Sequence, residues 1–119
     1  MNSKEFRIGN YVNFGSTLSV ITGVLLENII FKYNSGGEER HASLLTEGIN
    51  IIPLTEEWLL KFGLQQNEYF WRIDDFVIKQ TYDGYVPVSQ KYSIGIELQF
   101  VHQLQNLFFA LKGKELTLK

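Results

Sequence analysis

The sequence predicts a single α+β domain: a small N-terminal SH3-like β-barrel or curled sheet, a short helix, and then a β-meander closed by a C-terminal amphipathic helix. Three observations predict it. Residues 6–52 hold runs rich in Phe, Tyr, Val, Ile and Thr, separated by Gly, Asn and Ser turn signals. At Ile52-Pro53-Leu54-Thr55 the apolar pattern changes from strand-like to helical. Residues 100–111 then repeat apolar side chains at helical spacing.

The predicted strands of the first half are 6–14, 16–24, 28–33, 38–45 and 49–52. Gly15-Ser16 and Asn34-Ser35-Gly36-Gly37 are the clearest turns, because glycine reaches positive φ at little steric cost. Closing these short strands into a barrel would hide edges that invite aggregation. Thr55 is a good helix N-cap, and Glu56 and Glu57 put negative charge where the helix dipole favours it. Leu54 can staple onto Leu59, Trp58, Leu59 and Phe62 share a face, and Gly63 ends the helix. Residues 68–73, 76–82 and 85–92 read as a meander jointed at Asp74-Asp75 and Asp83-Gly84, with 94–98 as an extension. Pro87 cannot donate to a ladder, which places its strand at an edge. In the last helix Phe100, Leu104, Leu107, Phe108 and Leu111 form the apolar side and Gly113 stops the run; residues 116–118 alternate like a short final strand. Neither repeats nor a linker separate the halves. Residues 1–119 are therefore expected to form one domain, divisible into a β-rich part (1–52) and an α+β part (53–119).

Composition narrows the function classes. The 119 residues are 45% hydrophobic and 14% aromatic, enough for a packed core and too apolar for a disordered segment. With 11 Lys and Arg against 13 Asp and Glu, the net charge of -2 disfavours strong sequence-independent binding to nucleic acid. There is no cysteine, hence no disulfide, thiolate nucleophile or Cys-based metal site. Apolar runs such as 107–111 are far shorter than the ~20 residues of a membrane helix, and charge rather than an apolar stretch follows Met1. A soluble, cytoplasmic protein without cofactor or membrane partner is the expectation.

Catalytic signals are sparse. His41 and His102 lie in no motif that would set an imidazole beside a nucleophile and an orienting acid. Glu56-Glu57 suits a helix start, Asp74-Asp75 a turn, and Glu38-Glu39 on a strand would point to opposite faces, so none reads as a metal or glycosidase pair. The 34–37 segment lacks the order of a phosphate loop. Two surfaces remain. On the last helix His102, Gln105, Asn106 and Phe109 make a polar stripe with a large aromatic on it, a candidate ridge for a protein partner. In the meander, Tyr69, Phe70 and Trp71 are consecutive with Arg72 and Lys79 nearby. Tyr69, Trp71, Arg72 and Lys79 are thus the candidate stacking and phosphate residues of a weak single-strand nucleic-acid binder.

Three stretches carry a resemblance: Arg7-Ile8-Gly9-Asn10-Tyr11-Val12, IPLTEEWLLKFG at 52–63, and VHQLQNLFFAL at 101–111 followed by Gly113 and Glu115-Leu116. Together they resemble a family of small uncharacterised proteins from Bacteroidetes genomes, often found in prophage-like or mobile-element neighbourhoods. Members tend to have Phe where this chain has Leu64 and Tyr where it has Phe108. The resemblance implies a phage or mobile-element accessory role, and brings no catalytic residue or cofactor with it. The leading expectation is a non-enzymatic module that binds a protein through the last helix or the edge near Pro87. The alternatives are the single-strand nucleic-acid binder and, behind it, a small hydrolase using either histidine.

Overall fold

The computed structural model describes residues 5–45, 49–88 and 97–119. Its first sheet is an antiparallel meander in chain order of β1 (Tyr11–Phe14), β2 (Thr17–Val24), β3 (Asn28–Ser35) and β4 (Glu38–Leu45). Gly36 and Gly37, at φ 61 and 85, make the β3–β4 turn that the sequence marks. The register shifts between Ile21 and Gly23, a bulge at which a Cβ on Gly23 would crowd Ile30 at 3.2 Å.

The sheet is open, which corrects the SH3-like barrel. Residues 49–52, predicted as a strand, contribute one bridge, Asn50 to Asn13, and β1 and β4 stay at opposite edges. Closure is not needed to guard β4, since Glu38, Glu39 and Arg40 put charge at its start.

Helix α1 (Glu56–Lys61) follows as expected. The Thr55 hydroxyl accepts from the Trp58 N–H at 3.4 Å, Glu57 pairs with Lys61 one turn on, and Gly63 takes φ 90. The second sheet runs β5 (Gln65–Asn67), β6 (Phe70–Ile73), β7 (Phe76–Gln80) and β8 (Tyr85–Val88), again antiparallel in chain order. Strand β8, which holds Pro87, is the last of the four described strands of this sheet, and Leu98, from the predicted extension 94–98, bridges to its Tyr85. Its predicted continuation over 89–92 and 94–96 lies outside the described residues. The predicted strand 68–73 starts two residues later, at Phe70, because Glu68, at φ 59, and Tyr69 form the turn that joins it to β5. The three polar residues of β5 show no apolar alternation, so that strand was invisible to the pattern.

Helix α2 (Val101–Lys112) starts without a side-chain N-cap; instead Gln103 Oε1 accepts the N–H groups of Gln99 and Phe100 at 2.8 and 3.1 Å. Gly113, left-handed at φ 70, ends it. Residues 116–118 form no strand, but Leu116 is buried.

Two apolar clusters result. One gathers Ile52, Leu54, α1, the inner face of the second sheet and the apolar side of α2 around Trp71, Phe62 and Phe108. The other lies on one face of the first sheet, where Val12, Ile21, Ile29 and Phe31 meet Phe6 and Ile49. Because successive strand residues point to opposite faces, β1 serves both: Val12 enters the second cluster, while Tyr11 packs on Trp58 and Phe62 with ring centroids 5.8 and 6.1 Å away.

Candidate functional site

The polar stripe of α2 faces the chain's own N-terminal segment. Gln105 is fully buried; its Oε1 accepts the Tyr11 N–H at 2.9 Å and its Nε2 donates to the Gly9 carbonyl at 3.0 Å. Asn106 Oδ1 accepts from Asn10 Nδ2 at 2.8 Å and from Arg7 Nε at 3.2 Å, while its Nδ2 donates to the Glu5 carbonyl at 3.0 Å. The Arg7 guanidinium pairs with Glu115 and lies 4.2 Å from the centroid of the Phe109 ring, a cation–π contact. His102 is buried between Phe6 and Phe100. The four residues predicted to meet a partner are therefore brought together, but three of them and half of Phe109 are occupied within the molecule. The periodicity showed a polar stripe correctly and could not show that residues 5–11 would satisfy it.

The second predicted surface is reshaped by strand alternation. In β6 Trp71 turns inward, 1% exposed, and its indole N–H donates to Gln80 Oε1 at 3.3 Å; Phe70, 39% exposed, and Arg72 turn outward. Trp71 is thus a core residue, and Phe70 takes the outward place assigned to it. Register sets Asn67, Phe70, Lys79 and Val86 in one cross-strand row and Gln65, Arg72, Val77 and Val88 in the next. A concavity of about 540 Å³ opens over the second row, lined by Gln65, Arg72, Val77 and Val88 with Phe70 and Asp75 at its sides. Tyr69 stands exposed at the end of this face, its carbonyl accepting the Gln80 N–H at 2.6 Å.

Electrostatics favour an anion here. Asp75 accepts a hydrogen bond from Lys112, which holds its carboxyl below the ordinary aspartate value, and Asp74 pairs with Lys114 at 3.3 Å. Both carboxylates of the turn are so neutralised. Among the described residues neither Arg72 nor Lys79 is in an ion pair.

The remaining sequence candidates sit apart. His41 comes within 3.8 Å of Glu39, but both side chains are more than half exposed on β4, where water screens the pair and nothing desolvates a reacting group. Glu38 turns to Arg40, Glu39 to Lys32 as well, and Glu57 to Lys61. Among the described residues no three His, Asp or Glu side chains converge as metal ligands, and no helix is long and apolar enough to cross a membrane. Comparison of the chain with protein-family models, with curated proteins and with solved structures finds no match in any of the three.

Proposed function

We propose that the protein is a non-enzymatic binding module whose working surface is the outer face of the second sheet, and that its ligand is single-stranded nucleic acid. One observation carries this reading: Phe70, Arg72 and Lys79 stand together on an exposed sheet face, with both cations unpaired among the described residues and the two carboxylates of the β6–β7 turn, Asp74 and Asp75, each ion-paired. An aromatic on such a face stacks any base, and the two cations meet phosphates. The side-chain amides of Gln65 and Asn67 supply donors and acceptors beside them. With only two cations in place, binding is weak and salt-sensitive, which accords with a chain of net charge -2. A setting among phage or mobile-element accessory proteins rests on the resemblance of the three stretches alone.

Titration of a fluorescent oligonucleotide tests it. Two phosphate contacts on a single strand predict a log–log salt slope of about -1.4, so affinity falls roughly sevenfold between about 50 and about 200 mM salt. Arg72→Ala with Lys79→Ala abolishes that slope, and Phe70→Ala weakens binding without changing it. No binding at the lower salt, or binding indifferent to these substitutions, removes the proposal.

A further inference from the structure

Within the seam between α2 and residues 5–11, Gln105, Asn106, Asn10 and Arg7 are all hydrogen-bonded, yet among the described residues neither ring nitrogen of His102 has a hydrogen-bond partner. His102 is 2% exposed, and its ring sits 4.9 Å from that of Phe6 and 6.0 Å, stacked at 17°, from that of Phe100. We propose that residues 5–8, which precede the Gly9 and Asn10 backbone bonds to Ile21 of β2, are a releasable strap over the polar face of α2, with His102 as the proton-operated catch that holds it.

A neutral imidazole can lie between two phenyl rings, but an imidazolium there would be a cation stripped of water. The charged surroundings decide how strongly this acts. Glu5, on the strap, favours the protonated ring. The first turn of α2, which carries His102, presents the positive end of the helix dipole and opposes it. Arg7, farther along the strap, is paired with Glu115 from the segment after α2, and Phe6 and Phe100 offer only rings. Burial outweighs Glu5 and pushes the imidazole below its ordinary value. Acid therefore favours a state in which Phe6 withdraws and His102 reaches water. That state also frees Asn106 from the Glu5 carbonyl and from Arg7 and uncovers the whole of Phe109, the part of the stripe that the strap occupies in cis. This device is independent of the nucleic-acid face.

Amide hydrogen exchange on the full chain tests it. The Arg7 N–H, bound to Asn10 Oδ1, and the Asn10 N–H, bound to the Arg7 carbonyl, tie the strap to the first sheet and report its release. The Leu64 and Leu98 N–H groups, bound to the carbonyls of Leu59 and Tyr85, report the larger apolar cluster. From pH about 7.5 to about 5, protection factors at Arg7 and Asn10 should fall, by at most ~30-fold for an open-state imidazole of pKa about 6.5. Those at Leu64 and Leu98 should hold. His102→Phe, or His102→Leu should the larger ring not fit, should abolish the fall. The proposal is overturned if strap protection persists to the lower pH, if it falls equally in the variants, or if Leu64 and Leu98 lose protection in step with it.

Discussion

At the scale of single residues, neighbours in sequence have opposite roles. Trp71→Ala should cost about 3–5 kcal/mol in denaturant unfolding, because it empties the centre of the larger cluster and leaves Gln80 without its indole partner. Phe70→Ala, half a turn of the pleat away and outward-facing, should leave stability within about 0.5 kcal/mol while weakening oligonucleotide binding. Gly9 adopts φ 98 with its carbonyl bound by Gln105, and a Cβ there would meet Glu115 Oε2 at 3.1 Å. Gly9→Ala should accordingly lower stability by about 1–3 kcal/mol, read from the unfolding midpoint. The pH dependence has three windows. The pKa of His102 is lowered by burial, so its contribution is complete above the ordinary imidazole value of 6.5 and is lost progressively as pH falls below it. Asp75, lowered by Lys112, contributes above 3.8 and loses that contribution in stronger acid. Tyr11 and Tyr85, raised chiefly by burial, contribute below 10.0 and cease to as pH rises past it. Melting temperature followed across pH, with His102→Phe as the comparison, separates the first window from the second.

At the scale of elements, what the chain announced locally came out locally. Helix α1 has its cap, its face and its glycine stop within nine residues, Thr55 to Gly63, so no distant partner was needed to read it. The β3–β4 hairpin was equally legible, from Gly36-Gly37 and the alternating runs on either side. Strand β5 was not, because Gln65-Gln66-Asn67 has no apolar period and pairs only because β6 lies alongside. Helix α2 was read correctly as a helix, whereas its polar side was read as a candidate ridge for a protein partner. Gln105→Ala shows the difference: in place of a neutral surface change, it strips the Tyr11 N–H and Gly9 carbonyl of their partner at a buried site. A loss of about 1–3 kcal/mol for each unmet group is expected, with the Tyr11 amide exchanging faster.

At the scale of the molecule, two apolar clusters are joined by a seam that is mainly polar, and Tyr11 bridges them with its ring on Trp58 and Phe62 while its N–H is held by α2. Tyr11→Ala should therefore uncouple them: a single calorimetric transition in the wild-type protein should broaden or split, with the first sheet melting earlier, whereas Tyr33→Ala, whose ring packs within that sheet on Phe14 and Phe31, should lower stability without splitting it. Most secondary elements, the change of period at Pro53 and the membership of much of the core were written in the sequence itself. They depend on hydrophobic period, turn chemistry and caps, which act over a few residues. The burial of His102 and Gln105, the inward turn of Trp71, the open sheet in place of a barrel and the grouping of Phe70 with Arg72 and Lys79 were decided only when distant segments met. A strand's face and a polar group's partner are set by what packs against them, and in this chain the partners in the seam lie about a hundred residues apart.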